Sequence, residues 1–253
     1  MDQRIPKKVL LEHGTFTAAD KRLITEAIEE IQWVAALKPN TIGVPDYRDT
    51  LREYLEIAVL TVTVRGGARR ASLSRLAELV HRAVPYPVLL LMIERQSLTL
   101  SLAHKRWAQN EAAKVVLDGS LISVTMSPSS FGGCTVDSRH LDPVAVVDIE
   151  NAFIQSLSIT PQPQTTLHAL YQGWVDCVEA LLAARLTGSY QTYKTPEQAA
   201  ARRQALADCE RLATEVSRLR AQAAKEKQMA RQVELNLALK RVKAELAAAC
   251  RQL

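Results

Sequence analysis

Three carboxylates stand where a strand is about to begin. Asp46 and Asp49 precede Tyr54, the first residue of the run YLEIAVLTVTV, and Glu56 follows it. Carboxylates at a strand entrance can hold a divalent cation, and a lysine two residues past the last of them can orient the water that cleaves a phosphodiester. Here that position is Ala58, so the set lacks its lysine. The competing reading is a group of solvated acids at the mouth of a strand.

A second group is basic. His104-Lys105-Arg106-Trp107 closes an alternating segment, and cations beside aromatic rings can grip phosphate and stack on a base. Together with Arg65, Arg69, Arg70, Arg75 and Arg82 they form a candidate patch, in which Arg65, Arg69, Arg70, Lys105 and Arg106 are the expected nucleic-acid contacts. Against it stands a solvated strand end with Trp107 packed inward.

The remaining signals point away from chemistry. Cys134 and His140 lack a second ligand pair, and Cys177, Cys209 and Cys250 are scattered, with no CxxC. Gly66-Gly67 and Gly132-Gly133 have no P-loop around them. Ser129 and Ser130 have no nucleophile-elbow context, and His81 and His168 sit at helix positions that suit ordinary packing. No cofactor is expected, and Mg only if the acids act as a nuclease.

The elements that must position these residues are legible in outline. Thr17 and Asp20 read as a capping pair for a helix whose apolar positions run from Leu23 to Ala35 and which Lys38-Pro39 ends. Thr41–Val44 reads as a short strand. Tyr54–Val64 and Val88–Glu94 are apolar enough for buried strands, with a helix from Ser72 to about Val84 between them. Strand, helix, strand makes a βαβ unit with parallel strands. Ser97–Ala103 alternates as a hairpin partner exposed on one face, and a strand around Ser120–Met126 extends a small mixed sheet. The loop Ser127–Gly133 precedes a helix capped by Asp142 that runs to about Ser158, and a further helix spans Leu167–Leu186.

From Thr195 to Leu253 there is no Gly, and the only Pro is Pro196, where a helix accepts it. The segment holds 12 Lys and Arg against 7 Asp and Glu, so it carries the whole net charge of +5 of the 253-residue chain. Ala205, Cys209, Leu212, Val216, Leu219 and Ala223 recur at coiled-coil spacing, as do Leu235, Leu239, Val242, Leu246, Ala249 and Leu253. Glu226 interrupts the seam, and the register slips around Val233. The spacing predicts one long, basic, imperfect coiled-coil helix whose stripe must be covered by another copy, a different protein or the chain's own preceding helices; the expected interface anchors are Leu212, Val216, Leu219, Leu235, Leu239, Val242 and Leu246. The expected fold class is α/β (α+β), divided as an α/β domain over 1–126, a loop and helical region over 127–194, and the long helix over 195–253. No apolar run approaches the ~20 residues of a membrane span. The start of the chain is polar and charged rather than a signal core, so a cytoplasmic protein with reduced thiols is expected.

The strings IPKKVLLEHG, IQWVAALKP, NTIGV, YLEIAVLTV, VPYPVLLLM and LTLSLAHKRW occur in this order. In them the chain resembles, over roughly Arg4 to Ser189, the bacterial domain-of-unknown-function 4391 family. The resemblance carries no catalytic motif. It implies company with Snf2-type or other superfamily-2 helicases and DNA methyltransferases in restriction-like, antiphage clusters. The expectation is therefore a non-catalytic accessory subunit of a DNA-defence complex, docked on a helicase or nuclease, or on a second copy, and able to touch DNA. The alternatives are a divergent PD-(D/E)xK-like nuclease that uses Asp46, Asp49 and Glu56, and a DNA-binding module.

Overall fold

In the computed structural model, which describes residues 3–67, 70–109, 111, 114–126, 143–192 and 195–253, an early helix turns directly into a strand. After Gln3–Arg4 (β1) and Lys7–His13 (α1), Thr17 caps the helix Ala18–Ala27 (α2). Its side chain accepts the Asp20 N–H, and the Asp20 carboxylate accepts the Thr17 N–H. The helix stops at Ala27, and Ile28–Leu37 (β2) is a strand rather than the helical continuation expected to Lys38. Two bulges interrupt the pairing of β2, and the first, between Ile28 and Glu30, brings Ile28 and Ile31, three apart, to one buried face. That spacing imitates a helix. Pro39–Ile42 (α3) is a single helical turn ended by Gly43 at φ 72°, not the expected short strand.

Tyr47–Arg48 (β3) and Glu53–Tyr54 (β4) form a small hairpin before Ile57–Val64 (β5). Arg70–Ala83 (α4) crosses over to Val88–Glu94 (β6), and β5 and β6 are parallel, as the βαβ reading requires. Ser97–Leu102 (β7) returns antiparallel and is buried from Thr99 to Leu102, not open on one face. Lys105–Trp107 (β8) pairs with Val115–Leu117 (β9), a hairpin with no sequence counterpart above. Ile122–Met126 (β10) then joins β7. The six-stranded mixed sheet runs β1-β2-β5-β6-β7-β10. One core cluster joins Leu10 and Ile24 from the early helices and Leu76, Leu79 and Val80 from α4 to Leu60, Val62, Leu90 and Met92 of the sheet. At ~1.5–3 kcal/mol per fully buried large apolar side chain, this contact holds the helices to the strands.

Among the described residues four helices follow: Pro143–Ser156 (α5), Leu167–Thr187 (α6), Pro196–Lys225 (α7) and Met229–Cys250 (α8). The expected single terminal helix is therefore two. Thr195 caps α7 as anticipated, its hydroxyl accepting the Gln198 N–H at 3.3 Å. The break lies at Glu226, whose backbone is extended and whose carboxylate accepts the N–H groups of Lys227 (2.8 Å) and Gln228 (2.9 Å). No Gly or Pro is involved. The side chain satisfies amides that would otherwise be orphaned at the start of α8.

The chain divides into two units, one within Met1–Ser130 and Ser156–Val178, the other within Phe131–Gln155 and Glu179–Leu253. With boundaries expected near 126 and 194, the division falls after Ser130 and again within α6, after Val178. The Asp142 cap, the loop at 127–133, Cys134 and His140 lie outside the described residues.

Candidate functional site

The densest polar cluster of the first unit gathers at the amino ends of β5 and β6. The β3–β4 hairpin supplies Tyr47, Asp49, Arg52 and Tyr54, the link after β7 supplies His104, β8 opens with Lys105, β9 is followed by Asp118, and the first turns of α6 supply His168 and Tyr171. The Tyr54 hydroxyl meets His104 Nδ1 at 2.6 Å. His168 stacks on Tyr47 (4.8 Å between centroids, 28°) and meets Tyr54 edge-on (4.9 Å, 87°). The Tyr171 hydroxyl donates to the Val88 carbonyl (2.7 Å) and accepts the Ala103 N–H (2.9 Å). Arg52 donates to Asp118 at 2.7 Å.

Burial holds the rings of this cluster neutral. Burial, and then the neighbouring His168, pull His104 down to about 4; its Nε2 is buried without a hydrogen bond. Burial raises Tyr54 and Tyr171 well above the ordinary phenol range and lowers His168. His81, fully buried beside Ser101 (3.0 Å), falls to about 3 by desolvation. Open α/β sheets bind ligands at the carboxyl ends of their parallel strands, and this cluster sits at the opposite end. What its hydrogen bonds do is tie the β3–β4 hairpin and α6 to the sheet.

The expected site residues distribute as follows. Asp46 is exposed. Asp49 closes the β3–β4 turn, accepting the N–H groups of Leu51 (2.7 Å) and Arg52 (2.6 Å) and the Tyr47 hydroxyl (2.7 Å). Glu56 pairs with Lys38 at 2.8 Å. The structure does not converge these three: among the described residues no three His, Cys, Asp or Glu approach as metal ligands do. Lys105, expected at a nucleic-acid contact, is buried instead. It is 3% exposed, and its ammonium donates to the His81 carbonyl (2.6 Å) and to that of Val84. It thereby caps the last turn of α4, which ends without a glycine, and cannot reach a phosphate. Burial brings it down to about 7. Arg106 pairs with Asp118 (3.5 Å), Arg75 with Asp20 (3.0 Å) and Arg82 with Glu78 (3.6 Å). Arg65 is exposed and donates to the Glu26 carbonyl; Arg69 lies outside the described residues, and Arg70 opens α4. At the carboxyl end of β6, Glu94 accepts the Gly67 N–H at 3.0 Å, which puts an acid where a phosphate would sit.

In the second unit α7 and α8 fold back on each other as an antiparallel hairpin, with Cys209 against Cys250 and the Gln232 amide at the Ala223 carbonyl. The heptad stripe of α7 is buried at Ala205, Cys209, Leu212, Val216, Leu219 and Ala223. Its counterpart on α8, Leu235, Leu239, Val242 and Leu246, is half-buried. The residues expected to bind a partner therefore face one another inside the chain, because the break at Glu226 lets the second stripe return along the first. What remains outward is a stripe the heptad reading passed over: Met229, Val233 and Leu237, 76%, 52% and 55% exposed. Their four-residue spacing was the available signal.

Fold and site together define a mixed α/β protein with a second, helical unit, whose buried polar residues serve as ties. The chain belongs to the domain of unknown function 4391 family, whose model matches residues 1–246. The match extends past Ser189, so nearly the whole hairpin falls within the family's domain. No curated protein and no solved structure matches the chain. No described helix is long and apolar enough to cross a membrane.

Proposed function

We propose that this chain is a non-catalytic accessory subunit that docks on a larger protein through the outward face of α8. The observation that carries the reading is the exposed stripe Met229, Val233 and Leu237. At ~1.5 Å rise per residue it runs about 12 Å, long enough for one apolar ridge of a partner helix. Lys240, Arg241 and Lys243 follow it along the same side of α8, while Arg231 pairs with Glu226 (3.8 Å), so the partner surface is apolar with an acidic rim. The partner class comes from the resemblance to proteins that accompany restriction-like defence enzymes: a superfamily-2 helicase or nuclease of an antiphage complex, in the cytoplasm.

The test is co-expression with a helicase of the same gene cluster and capture of the complex. Interface anchors cost ~1 kcal/mol or more each when truncated. The combined change Met229→Ser, Val233→Ser and Leu237→Ser should weaken capture at least about tenfold with the far-UV spectrum unchanged. Undiminished capture by that variant overturns the reading. So does salt-sensitive DNA binding with no capture.

A further inference from the structure

We infer that Cys209 and Cys250 form a modification site: on oxidation they join in an intramolecular disulfide that staples the open end of the α7–α8 hairpin. One cysteine comes from each helix, and the two Sγ atoms lie 3.5 Å apart although the residues are 41 apart in sequence. A disulfide needs sulfurs at ~2.05 Å and Cα atoms within ~7 Å, which side-by-side positions of packed helices supply. The missing movement is about 1.5 Å, within reach of rotation about the two Cα–Cβ bonds. Cys250 is the last residue of α8, so the backbone that must adjust is a helix terminus rather than a helix interior.

Two cysteines in a seam can also be no more than small apolar side chains. The approach of their two sulfurs across separate helices argues for more. Cys209 is buried among Ala205 and Leu212, and burial, with its contact to Cys250, pushes its thiol up to about 12. Cys250 is half-buried and open to solvent. Cys250 is the thiol that meets the oxidant, and Cys209 is held against it as the only sulfur within reach among the described residues; its raised thiol makes the closing step slow rather than fast. No other described cysteine serves, since Cys177 belongs to the other unit, where it neighbours Gln162 at 3.5 Å.

With a hydroperoxide as oxidant the step balances. The Cys250 thiolate attacks one peroxide oxygen, the O–O bond breaks, and an alcohol or water departs, leaving a sulfenic acid. The Cys209 sulfur attacks the Cys250 sulfur, the S–S bond forms, the S–O bond breaks, and the hydroxide leaves as water with the Cys209 proton. Two thiols are oxidised by two electrons and one peroxide is reduced. The bond closes a loop that contains α8, the turn at Glu226 and the part of α7 that follows Cys209.

The experiment treats the full chain with hydrogen peroxide, alkylates it under denaturing conditions and maps the peptides by mass spectrometry without reductant. The expected result is a linked pair of peptides containing Cys209 and Cys250 in monomeric protein, two fewer titratable thiols, and a midpoint of helical melting raised by at least about 5 °C. Dithiothreitol should reverse all three, and Cys250→Ser should abolish the linkage. The proposal is overturned if both residues remain alkylated after peroxide, if Cys250 advances to sulfinic acid instead, or if the linkage joins two chains. None of these outcomes depends on a docking partner.

Discussion

Replacing Tyr171 by Phe removes one oxygen and leaves the ring among His104 and Tyr54. The cost can be worked from the bonds it breaks. The hydroxyl accepts the buried Ala103 N–H at 2.9 Å and donates to the Val88 carbonyl at 2.7 Å, and it is the only partner found for that N–H among the described residues. An orphaned buried amide costs ~1–3 kcal/mol, and the lost donor adds ~1. The expected loss is therefore about 2–4 kcal/mol, with no cavity to add to it. All three tryptophans, Trp33, Trp107 and Trp174, fall in the unit that contains Tyr171, so fluorescence in urea reports on that unit alone. The midpoint should fall with the slope unchanged. Tyr47→Phe, whose hydroxyl meets the half-buried Asp49, is the comparison and should cost about 1 kcal/mol or less. A Tyr171→Phe protein within ~0.5 kcal/mol of the parent would refute the view that this hydroxyl ties α6 to the sheet.

Other expectations follow from the same geometry. The Arg75 guanidinium, then Thr17, holds the Asp20 carboxyl down to about 2, so its contribution is complete above the ordinary value of 3.8 and disappears as pH falls through 2. Acid titration by circular dichroism should show this loss, and Asp20→Asn should remove that part of the pH dependence; an identical acid transition in the variant speaks against the pairing. In the second unit Leu219→Ala, at a position 5% exposed, should cost about 2–4 kcal/mol in the helical transition. Val233→Ser should change it by less than ~0.5. The reverse order would mean that the two faces of the hairpin have been assigned the wrong way round.

The parts of the fold that a reader of the sequence recovers are those written locally. Val88–Ile93 is an uninterrupted apolar run behind Pro87, and the strand covers it together with Glu94. Thr17 and Asp20 announce their helix three residues apart, and the parallel βαβ unit follows from element order. The early helix is overextended because the bulges of β2 move its buried residues off a period of two. The break between α7 and α8 carries no helix breaker, only a glutamate in the seam and a lost register. The ring cluster has no local signal, since Tyr54, His104 and His168 meet across long stretches of chain. Lys105 misleads for a different reason. A lysine after a strand reads as solvated, and only the glycine-free end of α4 at Ala83-Val84-Pro85 hints that its carbonyls require a donor.

The two helices of the hairpin are not equally anchored. The stripe of α7 is buried, whereas α8 has no fully buried residue. Local opening is cheapest where the least apolar surface is covered. Amide hydrogens should therefore exchange in two tiers: those of α8 through a detachment of that helix alone, those of α7 only through deeper opening. Each detachment briefly uncovers Leu212, Val216 and Leu219, so the protein holds a second apolar stripe in reserve, available at a frequency set by the grip of α8.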